Sequence, residues 1–389
     1  MTDFQRGIIT LMKCAITGQG ESLPDGFSLE EAEQFAQKQH ILTLVYYGAV
    51  VCGFSKTEPA MQRMFRKYIQ LMLRSEQQMK EVENIFLAFE ANGIDYLPLK
   101  GVNVKELYPQ PELRYMSDAD VLIHSEQYDR IRPILQEMGF TPQPECGHNY
   151  PWSKPQLEIE LHKQVTSSSS NDFCAHWGTG WQLAEKKSGF QYTFSAENHF
   201  IHEFTHFAEH YRSSGIGCRY VLDLWVYRQS YPEMDEQFVE EQLKTMHLLE
   251  FYKNIIRTMQ VWFEDAQEDE KTAFITQYVF SGGSWGTWDN YALSSAIRVS
   301  NADKPCRNLQ LLIKKVFPPL TEMQQCYSAL RKIPFLLPVF WIWRILDSLL
   351  FHRSMLRKAR RILEVADEKS VQSRHDALRF VGLDFYNEK

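Results

Sequence analysis

An α+β fold, with a small mixed β-sheet embedded in a larger helical body, follows from three observations on the sequence. Strand signals concentrate in residues 93–165. Helical periodicity fills both flanks, residues 1–92 and 166–389. The chain also carries no internal repeat. The expected divisions are therefore an N-terminal helical region (1–92), a sheet core (93–165) and a mainly helical C-terminal region (166–389).

The elements follow in order. Ser28-Leu29-Glu30-Glu31 fits a capping box, opening a helix that runs through Leu44 and Tyr47. Pro59 suits the first turn of a long helix, and Gly93 ends it. Gly93 to Leu99 reads as a turn entering a strand. Lys100-Gly101 then opens a short helix, Val102 to Tyr108, that Pro109 stops. After Ser117, carboxylates alternate with small and aliphatic residues through Ile123, which predicts a strand. A helix from about Gln127 to Met138 closes at Gly139. Leu157-Glu158-Ile159-Glu160-Leu161-His162 alternates strictly, with the aliphatic residues facing a core. Ser167 to Asn171 is a polar loop, and from Ser195 the chain turns helical again.

Composition narrows the class. A chain of 389 residues buries a large core. Its seven cysteines are scattered without a Cys-x-x-Cys pair, which argues against a disulfide framework or zinc ribbon. The formal net charge of −7 gives no overall electrostatic footprint for nucleic acid. Met1-Thr2-Asp3-Phe4-Gln5 lacks the basic and apolar regions of a signal peptide, so a cytoplasmic protein is expected. Phe335 to Phe351 is apolar, but Pro338, Arg344 and Asp347 interrupt it. A core helix is expected there rather than a stable membrane span, with a solvated basic neighbour carrying Arg353, Arg357, Lys358, Arg360 and Arg361.

The residues richest in chemistry are Asp118 and Asp120. On a strand both point to one face, and like charges held so close call for a cation between them. Mg²⁺ takes one or two carboxylates and completes its shell with phosphates. Glu160, with Glu158 and His162 on the polar face of its strand, is a candidate third acid, as metal ligand or general base. Upstream, Gly101 allows close backbone approach at a helix mouth, Lys100 adds a mobile positive charge, and Arg114 is placed to clamp a phosphate or orient a carboxylate.

These residues together resemble the nucleotidyltransferase superfamily that includes DNA polymerase β and the aminoglycoside nucleotidyltransferases. More narrowly, they resemble a bacterial family of uncharacterised nucleotidyltransferases, nucleotidyltransferase family 5. The signature is Leu99-Lys100-Gly101, Leu107-Tyr108-Pro109, Arg114, Asp118-x-Asp120 and Glu160-Leu161-His162. A second block comprises His206-Phe207-Ala208-Glu209-His210-Tyr211, Gly215-Ile216-Gly217-Cys218-Arg219 and Asp223-Leu224-Trp225. Val316-Phe317-Pro318-Pro319 and Leu337-Pro338 add a weaker match. Two departures stand out: Val102 follows Gly101 where the superfamily has Gly-Ser or Gly-Gly, and Glu160 stands where Asp is common.

The resemblance implies a nucleotidyltransferase core at 93–165 that transfers a nucleoside monophosphate from an NTP, ATP among the candidates. Asp118, Asp120 and Glu160 would hold Mg²⁺ or Mn²⁺ and carry catalysis. Lys100, Gly101, Arg114, His210 and Arg219 would bind nucleotide. The acceptor, whether small molecule, peptide, protein or RNA, is not specified. The alternative is a catalytically inactive nucleotide-binding or scaffolding module.

Three other motifs compete for attention. His202-Glu203-Phe204-Thr205-His206 matches the zinc-protease helix signature, but Glu209 and Arg212 stand where the longer pattern needs Gly and His. His199, His202, His206 and His210 fall on one helical stripe, expected as a partly buried polar face. Arg219 and Asp223 are spaced to pair along a helix. Ser281 to Gly286 reads as a flexible turn, since no Lys-Ser/Thr follows it.

Overall fold

In the computed structural model, the described residues are 1–144, 149–166, 176–299, 317–320, 323–324, 327, 329–350, 364–365 and 367–384. The Ser167–Asn171 loop, Val316 and the basic positions Arg353, Arg357, Lys358, Arg360 and Arg361 lie outside them. In chain order come α1 (Asp3–Thr17), α2 (Leu29–Gln39), α3 (Leu42–Val51), α4 (Pro59–Ala91), β1 (Tyr96–Leu99), α5 (Gly101–Lys105), β2 (Asp118–Ile123) and α6 (Tyr128–Glu137). Then follow β3 (Thr141–Pro142), β4 (Asn149–Lys154), β5 (Leu157–His162), β6 (Glu185–Ser188), β7 (Gln191–Thr193), α7 (Ala196–Ser213), α8 (Cys218–Ser230), α9 (Glu236–Thr245), α10 (Leu249–Phe263), α11 (Glu270–Ser281) and α12 (Trp288–Val299).

The seven strands form one mixed sheet in the order β3-β4-β5-β2-β1-β7-β6. β1 runs antiparallel to β2, and β2 runs parallel to β5. The sheet thus draws two strands from residues 185–193, beyond the 93–165 segment. Its outer strands are short, one containing Pro142 and the other an exposed Glu-Lys-Lys-Ser, both devices that discourage edge pairing.

Strand alternation sorts side chains onto two cores. Ala119, Val121 and Ile123 of β2 join Leu157, Ile159 and Leu161 of β5 against Val82, Ile85 and Phe89 of α4 and Ile131 and Leu135 of α6. Leu97, Leu99 and Leu122 instead join the larger core. That core holds Leu11 and Leu44 from the N-terminal helices together with Phe204, Val221 and Phe251. Helices from both ends of the chain therefore share one core behind one sheet face.

Local signals place most boundaries. Ser28 accepts from Glu31 N at 3.3 Å, and α4 begins on Pro59 and ends before Gly93 at φ 62°. The single helix expected from Ser28 to Tyr47 is instead two. His40 adopts φ 55°, Ile41 N donates to Ala36 O at 3.0 Å, and α3 starts afresh. Because α3 is buried along most of its length, it needs a direction that a continuation of α2 would not give. The helix expected to reach Tyr108 ends at Lys105, after which tighter bonds such as Tyr108 N to Lys105 O carry the chain to Pro109.

The glycine-rich turn after α11 is packed rather than loose. Gly217 N donates to Ser284 O at 3.1 Å, and Gln39 Nε2 donates to Gly282 O at 2.9 Å. Gly286 takes φ 71°, and a Cβ there would meet Ser214 O at 1.9 Å, so only glycine fits. The helix Leu337–Leu350 differs from the core helix expected. Its Ile342 and Trp343, and Phe335 just before it, stay exposed, while Trp341 donates to Pro318 O at 2.9 Å. Among the described residues no helix is long and apolar enough to cross a membrane.

Candidate functional site

The parallel register of β2 on β5 sets Asp118 opposite Glu158, Asp120 opposite Glu160 and Leu122 opposite His162. With matched alternation, Asp118, Asp120, Glu160 and His162 all emerge on the face away from α4 and α6. β1 ends beside them with Leu99 opposite Asp120, which delivers Lys100 to the same edge.

Asp120 is the hub. Lys100 Nζ lies 2.9 Å from its Oδ1, and His162 Nε2 lies 2.6 Å from the same oxygen. His162 Nε2 also stands 3.5 Å from Glu160 Oε2, which accepts from Asn149 Nδ2 at 2.5 Å. One donor atom from each of Asp120, Glu160 and His162 falls within 4.8 Å of the others, a spacing that suits one cation. Two hard carboxylate oxygens and an imidazole nitrogen fit a divalent metal. Asp118 stands apart from that group and takes the Ser117 hydroxyl at 2.5 Å. His162 shared the polar face of its strand in the sequence, yet alternation alone did not mark it as a ligand.

The electrostatics follow from crowding. Burial pushes the Asp120 carboxyl up, but Lys100 and His162 more than offset this and hold it well below the usual range. Burial and the charge of Asp120 raise Asp118. Burial favours neutral Glu160, but the hydrogen bond from His162 and the nearby positive charges pull its pKa down. Burial disfavours charge on His162 as well, and hydrogen bonds to Asp120 and Glu160 raise it instead. Lys100 is likewise penalised by burial and then held charged by Asp120, with Asp118 and Glu160 adding to the effect.

Lys100 reaches Asp120 from a backbone at φ 44°, ψ −121°, a region that a residue with a side chain seldom occupies. A Cβ on Gly101 next to it would come 3.0 Å from Arg114 Nη1, a tight contact that the guanidinium would have to yield to. Arg114 takes the second of its two expected roles, orienting a carboxylate. Its Nε and Nη2 bind Asp223 at 2.9 and 3.1 Å, and Nη1 donates to Gly101 O at 3.2 Å. Asp223 also accepts from Tyr108 at 2.7 Å and from Arg219 Nη1 at 2.7 Å. The second block of the signature thereby locks the first, since α8 holds the Lys100-Gly101 turn through Arg114.

Helix α7 lies over the carboxylate edge. Burial lowers the pKa of His202, His206 and His210, and the charges of Lys100 and Asp120 act on all three in opposite senses. His206 and His210 meet each other, Nε2 to Nε2 at 3.0 Å. The metal-spaced group of three among the described residues excludes His202 and His206, so the zinc-protease motif lacks a third ligand there. Arg219 stacks over Tyr220, 4.3 Å from the ring centre, and its buried Nε has no partner among the described residues. Tyr220 in turn feels the charge of Asp118.

The sequence matches the family described as uncharacterised nucleotidyltransferase over residues 25–264, more than half of the chain. The chain belongs to that family. The match spans β1, β2 and β5, the Asp223 node and the histidines of α7, so the residues of both signature blocks lie inside the family domain. No curated protein and no solved structure matches the chain.

Proposed function

We propose that the protein is a Mg²⁺- or Mn²⁺-dependent nucleotidyltransferase that moves a nucleoside monophosphate from an NTP to an acceptor hydroxyl or phosphate. The observation that carries this reading is the cross-strand pair Asp120 and Glu160, joined by His162 and facing Lys100. Family membership supports the reaction class.

Asp120, Glu160 and His162, with Asp118 beside them, would hold the ion, which when bound supplies charge neutralisation at the triphosphate. Lys100 neutralises charge on the departing pyrophosphate from its place 2.9 Å from Asp120. The Gly101 turn, held by Arg114, gives the phosphates close backbone approach. Arg219, whose buried Nε has no partner among the described residues, and His210 would contribute to nucleotide binding. In the reaction an acceptor oxygen bonds to the α-phosphorus as the bond to the pyrophosphate oxygen breaks. Glu160, where it does not complete the metal shell, would take the acceptor proton.

The test is labelled NTP incubated with the protein and a cell extract, followed by a search for molecules that acquire label. Label transfer that needs a divalent ion and disappears in a folded Asp118→Asn/Asp120→Asn protein is expected. Undiminished transfer by that double variant overturns the assignment.

A further inference from the structure

A cavity of about 210 Å³ lies on the far side of the Arg114–Met116 segment, walled by the α2–α3 junction and the middle of α4. Its lining combines Lys67, Arg74 and Lys105 with Leu71, Tyr115 and Met116. Lys105 is the informative residue. It is 1% exposed, and among the described residues its ammonium makes a single hydrogen bond, to Arg114 O at 2.6 Å. No carboxylate among the described residues comes within 4 Å of it. A buried ammonium is costly unless an anion accompanies it.

The rim repeats the pattern. Lys67 and Arg74 make no ion pair among the described residues. The one acid of the lining, Glu112, accepts from the Tyr68 hydroxyl at 3.3 Å. Arg114 also lines the space, but its charge is matched by Asp223. Arg74 sits 6.0 Å from the centre of the Tyr115 ring, and His40 packs on that ring at 4.6 Å. Cationic groups therefore gather around an apolar and aromatic floor. A dry cavity of about 150 Å³ accepts a benzene ring, so this one has space for a ring and one anionic substituent.

We propose that this cavity is a second ligand site, taking a small molecule that carries one carboxylate or phosphate on a ring-sized apolar body. The anionic group sits among Lys105, Arg74 and Lys67, and the body lies against Leu71, Tyr115 and Met116. The site is separate from the carboxylate edge yet adjoins it. Met116 packs on Gly101 and stands two residues before Asp118, about 7 Å along an extended chain.

The state of Lys105 gives the site a signature. Burial and then Arg114 lower its pKa to about 7, with Arg219 acting in the same sense and Glu112 and Asp223 opposing. A bound anion favours the charged form, so binding near neutral pH takes up a proton. Affinity for a ligand that does not itself titrate there falls as pH rises above about 7.

The experiment is calorimetric titration of the full chain with benzoate and with phenyl phosphate, at about pH 6 and about pH 8, in buffers of different ionisation heat. Saturable binding is expected, with benzoate weaker at the higher pH and proton uptake near neutrality. The two probes separate the carboxylate from the phosphate form of the ligand. Arg74→Gln, on the exposed rim, and Lys105→Gln should each weaken binding about tenfold or more. Arg74→Gln keeps the test decisive if Lys105→Gln does not fold. Asp120→Asn should leave probe binding intact, so loss of nucleotidyl transfer and loss of this site are read separately. Absence of saturable binding of both probes, or affinity unchanged in Arg74→Gln, overturns the proposal.

Discussion

Asp223 and Asp120 are equally buried, each 4% exposed, and each meets two basic side chains, yet they stand in opposite situations. Asp223 accepts from Arg114, Arg219 and Tyr108 and so ties residues 108–114 to its own helix, its charge matched by two guanidinium groups while the buried Glu203 feels it. Asp120 meets Lys100 and His162 but shares its edge with Asp118 and Glu160, so negative charge remains in excess. A closed network of fixed hydrogen bonds is architecture. An open one, with carboxylates crowded against each other, stores the capacity to bind a cation. The difference lies in the neighbours, not in the residue type or its depth.

The largest expected effect breaks the closed network. Asp223→Asn leaves two buried guanidinium groups sharing a neutral amide, and removing one partner of a buried ion pair costs about 3–5 kcal/mol. Urea denaturation should show a loss of that size. A variant as stable as the parent would show that water enters the node and that Asp223 does not hold the Gly101 turn.

Glu203 tests the border between the two networks. It is buried on α7, its Oε1 has no partner among the described residues, and burial, only partly opposed by Arg114, raises its pKa to about 7. The raised value means that its contribution to stability is complete below the ordinary carboxylate range and is lost as pH rises through about 7. Glu203→Gln should remove that dependence and make the protein about 3 kcal/mol more stable than the parent at pH 8, with little difference at pH 4. Parallel stability curves for parent and variant across this range would show that Glu203 is ionised and paired throughout.

Asp118 offers a smaller effect of opposite sign to Asp223. Burial and Asp120 raise its pKa, so its charge opposes folding once the carboxylate range is passed. Asp118→Asn should stabilise the metal-free protein by about 0.5–2 kcal/mol at neutral pH while nucleotidyl transfer falls. The stability gain should vanish in acid, where the parent carboxyl is protonated. A destabilised variant would place Asp118 among the closed contacts instead.

The open network was the more legible of the two in the sequence. Asp118-x-Asp120 and the Leu157–His162 alternation are period-two patterns, and their strands pair in the register that brings Asp120 to Glu160. Of the closed network only the helical spacing of Arg219 and Asp223, which do pair at 2.7 Å, was legible, because Arg114 and Asp223 are 109 residues apart and nothing periodic links them. Only their presence in one signature hinted at a shared role. The strands β6 and β7 were hidden for a related reason: Glu185-Lys186-Lys187-Ser188 is an exposed edge, with no buried face to impose alternation. The break at His40 was hidden too, since one left-handed residue redirects a helix without disturbing the apolar pattern around it.

The smallest effect concerns the strain that serves the open network. Lys100 holds φ 44°, and its ammonium ends 2.9 Å from Asp120. Replacing Lys100 with either Ala or Gly removes the ammonium equally, so the difference between the two variants reports on the backbone alone. In ordinary helix or strand positions Gly is less stable than Ala by about 0.5–1 kcal/mol, because its unfolded chain is freer. A positive φ reverses that order, since a Cβ there costs about 1–2 kcal/mol that Gly avoids. Lys100→Gly should therefore be more stable than Lys100→Ala by about 1 kcal/mol in urea denaturation, while both lose nucleotidyl transfer. If Ala proves the more stable, the turn relaxes once the ammonium is gone. The strain would then be imposed by the attraction of Lys100 to Asp120 rather than built into the Arg114-anchored loop, and Lys100 would be pulled to the carboxylates instead of being presented to them.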